Sequence, residues 1–231
     1  MSYELTVLVP SRLRPSNLRR LIEAVCDTAP GASLVARVDD DDPHWKEYSQ
    51  LEFSSVRFLV KIISGVRSGF VASLNELVTN SHRPYIALLG DDVLPETQGW
   101  GDAMIEALDG KLGVAYGDDG LREKHAPDLP THPVLPLKLA QILGWAALPT
   151  VRHLFPDNAW RDLGMGLDNF PFVDVKLTHL HPWAGKAERD QTYTDGNDPT
   201  ARDLDRAAYE AWRDSSWGLA RALDQLKGKV L

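Results

Sequence analysis

The feature that most constrains the fold is a short apolar run ending in two adjacent carboxylates, at residues 84–95 (PYIALLGDDVLP). A run of four to eight apolar residues bounded by turn signals is typical of an inner strand of a parallel sheet. In open α/β sheets, ligands bind beyond the carboxyl ends of the strands. We therefore expect Asp91 and Asp92 at a binding edge, with a positive charge between them. A turn or helix cap is the other common use of such a pair.

Apolar segments of strand length alternate with amphipathic helical segments over the first half of the chain. Leu18, Leu21, Ile22 and Val25, for example, recur at helical spacing after the first apolar segment. Such alternation predicts an α/β fold with a mostly parallel central sheet and helices on both faces. The predicted strands are 5–9, 33–38, 56–63, 85–89 and 112–116.

Three of these predicted strands end in acidic residues, at 39–42, 91–92 and 118–119. If the strands are parallel, all three ends meet at one edge of the sheet. Their convergence favours a cation-dependent site over ordinary solvated loops. No Gly-x-Gly-x-x-Gly follows the first strand and no Walker-type loop is present, which disfavours a dinucleotide cofactor and P-loop chemistry.

Composition narrows the class of protein and its compartment. The chain has 231 residues and a formal net charge of -8, which argues against tight, sequence-independent binding of nucleic acid. The single cysteine, Cys26, excludes an internal disulfide and fits a reducing compartment. The N-terminus lacks a signal-peptide pattern, and no apolar run approaches the length of a membrane span. We therefore expect a cytoplasmic protein with no membrane partner, of the cell or of an infected host.

Three motifs together resemble a known family. Residues 7–12 (VLVPSR), the acid after the second strand and residues 88–95 (LLGDDVLP) are similar to family 2 glycosyltransferases of the GT-A fold, over roughly residues 4–195. The resemblance implies a metal-dependent, inverting transfer of sugar from a nucleotide-diphosphate sugar, with UDP as the expected nucleotide. Gly90 stands where the family has the first acid of Asp-x-Asp. Asp92 then aligns with the metal ligand, and Asp91 with the middle position near the ribose.

The resemblance also implies the contacts of the nucleotide-sugar donor. The backbone after the first strand reads a pyrimidine edge, and Asp39 accepts its N3–H, or Asp40 if the strand ends one residue later. A guanidinium matches phosphate geometry, so Arg67 is a candidate phosphate or base contact. Lys186, in a late loop that can fold over the donor, is placed to meet the diphosphate charge. Arg67 and Lys186 are otherwise ordinary surface charges. The candidate donor contacts are Pro10, Ser11, Arg12, Asp39, Asp40, Arg67, Asp91 and Lys186.

Further metal ligands are expected late in the chain. His179 and His181 follow a predicted strand at 173–177, and residues two apart point to the same face of a strand. Two imidazoles near carboxylates suit Mn²⁺ better than Mg²⁺. The expected ligands are Asp92 with His179, His181 or both; alternatively, one histidine packs in the core and the other faces water. The run of His-x-His-Pro and Gly-Lys at 179–186 is similar to bacteriophage-type members.

The catalytic base of an inverting enzyme is expected between the metal motif and the late histidines. Asp157 is the candidate, because a base there takes the proton of the acceptor hydroxyl as that oxygen attacks the sugar. Asp157 also suits the N-cap of a helix at 158–163. Asp162 and Asp168 are weaker candidates. The acceptor is a small molecule, a protein or a modified base in DNA.

The expected organisation is one GT-A domain over 1–195, divided into a nucleotide-sugar half (1–120) and an acceptor and metal half (121–195). A C-terminal helix over 196–231, capped by Thr200, then packs on the domain or on a second subunit of a homodimer. Two other functions stay open. A nucleotidyltransferase normally has a glycine-rich loop after the first strand, whereas residues 11–15 contain no glycine. A non-catalytic nucleotide-sugar-binding module is the second.

Overall fold

The computed structural model describes residues 4–54, 58–121, 127–196 and 198–229. The strands are β1 (Leu5–Ser11), β2 (Ser33–Asp39), β3 (Phe53–Ser54), β4 (Leu59–Gly65), β5 (Tyr85–Leu88), β6 (Val93–Pro95), β7 (Tyr116–Asp118), β8 (Val134–Pro136) and β9 (Phe172–His179). The helices are α1 (Pro15–Thr28), α2 (Trp45–Ser49), α3 (Phe70–Val78), α4 (Trp100–Ala107), α5 (Leu137–Leu143), α6 (Pro156–Gly166), α7 (Gln191–Gly196), α8 (Pro199–Asp214) and α9 (Leu219–Leu226). A 3₁₀ turn covers Pro182–Ala184.

The central sheet has the strand order β3-β4-β2-β1-β5-β8 within the described residues. Strands β4, β2, β1 and β5 run parallel, while β3 and β8 are antiparallel at the two edges. The α/β class with a mostly parallel sheet is confirmed. The predicted strand 56–63 starts at residues outside the described part of the chain, and β4 begins at Leu59.

Alternating side chains of the sheet build a hydrophobic core on each of its faces. In β1, Leu5, Val7 and Val9 join a cluster with α1 and α4, whereas Leu8 joins a cluster with α3, α5, α6, α8 and α9. All four side chains are fully buried. This burial on both faces explains why the inner strands are apolar almost throughout rather than alternating apolar and polar.

The predicted strand at 112–116 is wrong in extent and in position. The strand found there, β7, covers Tyr116–Asp118 and pairs with β9 in a second sheet of order β6-β9-β7. The place beside β5 in the central sheet is taken by β8 instead. The acidic end at 118–119 therefore does not belong to the central sheet, and the expected convergence of three acidic strand ends at one edge of that sheet is wrong. The carboxylates of Asp118 and Asp119 accept the backbone N–H groups of Gly120 and Leu121, and the Asp119 carbonyl accepts the His179 N–H at 2.9 Å.

The single C-terminal helix expected over 196–231 is two helices, α8 and α9. Asp198, rather than Thr200, is the N-cap: its carboxylate accepts the Ala201 N–H at 2.9 Å. The helical path is interrupted between Asp214 and Leu219. At Gly218, within this turn, a Cβ would overlap the carbonyl oxygen of Trp212. That crowding requires glycine at the turn, which a continuous helix would not.

Both C-terminal helices pack on this same chain. Tyr209 and Trp212 of α8, with Ala222 and Leu226 of α9, are buried in the cluster that lies under α5 and α6. None of the helices described is both long enough and apolar enough to traverse a lipid bilayer.

Candidate active site

A cleft of about 730 Å³ opens at the carboxyl ends of the parallel strands. Its volume lies within the range of about 300–1,000 Å³ that is typical of small-molecule sites. Its lining includes residues of β1, β2, the loop after β5, β9, α6 and α7. Ten predicted site residues line this cleft: Pro10, Ser11, Arg12, Asp39, Arg67, Asp91, Asp92, Asp157, His179 and His181.

Two other predicted residues lie outside the cleft lining in the described part of the chain. Asp40 is exposed, and its N–H donates to the carbonyl of Gly65 at 2.8 Å, because β2 already ends at Asp39. Lys186 Nζ is directed at the carbonyl of Gly120, at 3.3 Å, and its side chain is exposed.

A guanidinium supplies the positive charge that the acidic pair requires. Nη1 of Arg14 lies 3.3 Å from Asp91 Oδ1 and 3.5 Å from Asp92 Oδ2. The other side of the same guanidinium contacts Asp190, with Nε–Oδ2 at 2.5 Å and Nη2–Oδ1 at 2.6 Å. Arg14 thus links the end of β5 to a segment that lies 176 residues further along the chain than Arg14 itself.

A short chain of hydrogen bonds through Ser11 and Tyr48 orients the carboxylate of Asp91. Ser11 Oγ donates to Asp91 Oδ2 at 2.6 Å and lies 3.0 Å from Tyr48 Oη. Because the single hydroxyl proton of Ser11 goes to Asp91, Tyr48 must donate to Ser11. Tyr48 Oη in turn accepts the backbone N–H of Arg14 at 2.7 Å. The position of the guanidinium and that of the carboxylate are therefore set by the same buried tyrosine.

The pKa values of the two adjacent carboxyl groups are shifted in opposite directions. Burial, together with the charge of Asp92, raises the pKa of Asp91 to about 7. Burial also opposes ionisation of Asp92, but a hydrogen bond and charge from His179, with the charge of Arg14, hold the pKa of Asp92 well below its usual value. Burial, together with the neighbouring His179, lowers the pKa of His181 to about 4. At neutral pH Asp92 is therefore ionised, Asp91 is partly ionised, and His181 is a neutral imidazole.

Three histidines form a cluster of edge-to-face rings beside Asp92. His179 Nε2 lies 3.4 Å from Asp92 Oδ1. The His179 ring packs edge-to-face on His132 at a centroid distance of 4.9 Å and on His181 at 4.8 Å. His179 Nδ1 is buried and has no hydrogen-bond partner among the described residues. Tyr193 covers the outer side of His181 at 5.1 Å.

Two arginines hold the carboxylate of Asp39 at the end of β2. Arg12 Nη1 donates to Asp39 Oδ2 at 2.9 Å, and Arg37 Nη1 donates to Oδ1. Arg37 is almost fully buried and its Nε also pairs with Glu76 at 2.9 Å. An ionised carboxylate has about four acceptor positions, so Asp39 keeps capacity for a further N–H donor.

Asp157 lies in the first turn of α6, where its Oδ1 accepts the N–H of Asn158 at 2.9 Å. The residue before the helix is Phe155, whose φ of 72° is in the left-handed region. Asp205 of α8 holds the preceding loop, accepting the backbone N–H groups of residues 152–154 at 2.8 to 2.9 Å. The weaker candidate Asp162 accepts the Tyr209 hydroxyl at 2.6 Å instead.

The segment 190–196 lines the cleft and is attached to the residues that follow β1 and β4. Thr192 Oγ1 donates to the carbonyl of Arg12 at 3.0 Å. Asp195 lies 3.4 Å from Arg67, which is exposed. With the Asp190 contacts to Arg14, these bonds hold α7 across the mouth of the cleft.

Known proteins resemble this chain in structure rather than in sequence. No family model matches the sequence, and no curated protein is similar enough in sequence to match. TarS from S. aureus, in complex with UDP-GlcNAc, superposes with a TM-score of 0.65 at 9% identity, covering 96% of this chain and 70% of that one. The mannosyltransferase PcManGT from Pyrobaculum calidifontis, in complex with GDP-Man and Mn²⁺, superposes with a TM-score of 0.60 at 12% identity, covering 96% and 78%.

Glucosyl-3-phosphoglycerate synthase from Mycobacterium tuberculosis, in complex with Mn²⁺, UDP and glucosyl-3-phosphoglycerate, has a TM-score of 0.58 at 12% identity, over 87% of this chain and 76% of that one. These superpositions cover 87% to 96% of the present chain. The chain has the GT-A fold. The fold class predicted from the motifs of β1 and β5 is thereby confirmed.

Within this GT-A fold, the main residue that sequence reasoning missed is Arg14. A basic cluster at Arg12, Arg14, Arg19 and Arg20 is visible in the sequence, but its spacing does not reveal which guanidinium turns inward. Arg14 turns inward because it lies just before α1, and Leu13, with φ of 58°, bends the chain there. Two further members were missed: Tyr48, which lies in an ordinary polar segment of the sequence, and Asp190, which binds Arg14.

The residues expected to hold a divalent ion fit one in part. Two ligand atoms bound at about 2.0–2.2 Å to one ion lie roughly 3 Å apart when they subtend a right angle at it. Asp92 Oδ1 and His179 Nε2 are 3.4 Å apart, close to that spacing. Over the residues the structure describes, no three acidic, cysteine or histidine side chains are grouped as a complete metal site. A diphosphate and water would have to supply the other ligands.

Proposed function

We propose that this chain is a glycosyltransferase that moves a sugar from a nucleotide-diphosphate sugar to a hydroxyl acceptor. The observation that carries the proposal is the juxtaposition of Asp91, Asp92 and His179 in a cleft that also contains Asp39. Structural neighbours with the same fold support it, because their complexes contain UDP-GlcNAc, GDP-Man or UDP.

The nucleotide base is assigned to the pocket between β1 and β2. Asp39 is oriented by two arginines and retains capacity to accept the N3–H of uracil, which favours a UDP-sugar. Pro10, Ser11 and Arg12 provide backbone groups beside it. Arg67, exposed at the cleft, is free to turn from Asp195 towards a phosphate, since an ion pair of 3.4 Å between exposed groups is weak.

A divalent cation is assigned to Asp92, His179 and His181. Mn²⁺ is preferred, because imidazole nitrogen is a better ligand for Mn²⁺ than for Mg²⁺. Held by these residues, such an ion would supply positive charge to the departing diphosphate. His181 is neutral at physiological pH, as a ligand must be. Lys186 approaches the diphosphate only if its loop turns inward.

Asp157 is the proposed base of an inverting reaction. It lines the cleft from the first turn of α6. An acceptor hydroxyl hydrogen-bonded to Asp157 gives up its proton as its oxygen attacks the sugar carbon, on the side opposite the leaving phosphate. The acceptor is a small molecule, a protein or a modified DNA base.

A thermal-shift screen of nucleotide sugars, each with and without Mn²⁺, tests the donor. Ligand at about 100 times its Kd stabilises a protein by roughly 2.7 kcal/mol, which is readily measured. UDP-sugars should raise Tm more in Mn²⁺, and Asp92→Ala should remove the Mn²⁺ dependence. Unchanged UDP affinity of Asp92→Ala in Mn²⁺ would exclude the site.

The chemistry is tested separately with Asp157→Asn. This variant should bind the donor like the wild type and lose sugar transfer, whereas retained turnover would exclude Asp157 as the base. Slow hydrolysis of the donor sugar by the wild type would exclude a purely non-catalytic binding module. Release of pyrophosphate from a nucleoside triphosphate would instead favour a nucleotidyltransferase.

A further inference from the structure

Arg14 lies where a metal-dependent transferase would need its ion. Its Nη1 is within 3.5 Å of an oxygen of both Asp91 and Asp92, and Asp190 holds the opposite side of the guanidinium by two hydrogen bonds. The side chain is only 13% exposed. Three carboxylates therefore hold one guanidinium. Displacing Arg14 would separate its charge from the largely buried carboxylates of Asp91 and Asp92.

This arrangement answers an electrostatic requirement of the fold. Asp91 and Asp92 are adjacent in sequence and both largely buried, so the pair needs a cation nearby to lower the repulsion between them. In a chain without bound ion, Arg14 provides that cation. A divalent ion at Asp92 would bring two further positive charges to within a few ångströms of the guanidinium.

Resting on the function proposed above, we propose that Arg14 is an internal counter-cation that competes with a divalent ion for the Asp91–Asp92 pair. The guanidinium stabilises the cleft before the ion binds, and it weakens binding of the ion. Asp190 holds Arg14 at the mouth of the cleft when the ion takes its place beside Asp92. A bidentate contact of this kind keeps the guanidinium oriented rather than releasing it to solvent.

Calorimetric titration of Mn²⁺ into the nucleotide-free protein tests the proposal without measuring activity. Arg14→Gln should bind Mn²⁺ at least about tenfold more tightly than the wild type, because like charges a few ångströms apart repel strongly at partly buried sites. The matched control is Arg19→Gln in the same helix region: Arg19 is exposed, and its removal changes net charge equally. Its Mn²⁺ affinity should stay within about twofold of the wild type, because solvent screens a remote surface charge.

Two further variants guard against loss of the fold. Arg14→Lys keeps the charge and should stay within about threefold of the wild type, although it cannot bridge three carboxylates. Arg14→Met is a second neutral variant of similar length, and it should tighten Mn²⁺ binding as Arg14→Gln does. A thermal melt verifies that each variant is folded before titration.

Equal or weaker Mn²⁺ binding by the folded neutral variants overturns the inference, and so does a lack of Mn²⁺ binding by every variant. UDP binding is measured in parallel to keep the two proposals apart. Tighter Mn²⁺ binding in Arg14→Gln without UDP binding supports the inference and refutes the transferase. If UDP binds and Arg14→Gln leaves the Mn²⁺ affinity unchanged, the inference about Arg14 is refuted and the transferase proposal stands.

Discussion

Replacing Asp205 by alanine should destabilise the protein strongly although the residue lies on a helix near the surface of the cleft. Asp205 is 3% exposed and accepts three backbone N–H groups, those of Arg152 at 2.8 Å and of His153 and Leu154 at 2.9 Å. Alanine leaves all three donors without this acceptor. A buried donor left unsatisfied costs about 1–3 kcal/mol, and water from the cleft keeps the cost near the lower end.

The expected loss is therefore about 3 kcal/mol in the free energy of unfolding, or roughly 6–12 °C in Tm for a chain of this length. Urea unfolding followed by tryptophan fluorescence measures it, provided that the m-value is unchanged. Asp205→Asn keeps one carbonyl oxygen and should lose less than the alanine variant.

Asp203→Ala is the matched control, two residues away on α8. Its side chain is 67% exposed and its nearest cation, Arg202, is 3.9 Å away, so its removal should change stability by less than about 0.5 kcal/mol. Equal losses in Asp205→Ala and Asp203→Ala would refute the reasoning. Because Asp205 holds the loop that leads into α6, its alanine variant should also slow sugar transfer more than it weakens donor binding.

Three further predictions concern other parts of the fold. Asn75→Ala should cost about 2–3 kcal/mol, measured by urea unfolding, because its amide makes three bonds of 2.8 Å to the backbone of residues 146–147. Gly218→Ala should lower Tm markedly, since its Cβ would overlap the carbonyl of Trp212, whereas Gly110→Ala has open space and meets only the strain of a positive φ. Burial lowers the pKa of His153 below the value near 6.5 of the unfolded chain, so the unfolded state takes up the proton first. Stability should therefore fall as pH drops below about 6.5, and less so in His153→Gln, when unfolding is compared at several pH values.

The inner strands β1, β2 and β5 and the edge that carries the site follow from the sequence alone. The apolar strands β1, β2 and β5 are local patterns, and parallel strands bring their carboxyl ends together whatever the loops do. Asp39, Asp91 and Asp92 are therefore assigned to one cleft from sequence, and the structure does bring them there. The two-residue spacing of the late histidines predicts that they lie side by side, and their rings are 4.8 Å apart, although β9 ends at His179 and His181 follows it in a loop.

Other features depend on contacts between residues far apart in the chain, which local patterns do not encode. Strand β7 pairs with β9 in the second sheet, and β8 takes the place beside β5 in the central sheet. The sequence pattern of β7 does not predict this, because the pairing partner of a strand is set by non-local hydrogen bonds. The inward turn of Arg14, and its capture by Asp190 across 176 residues, likewise follow only from the folded chain. Sequence periodicity reports which face of an element is buried, but the direction of one long charged side chain depends on every element around it.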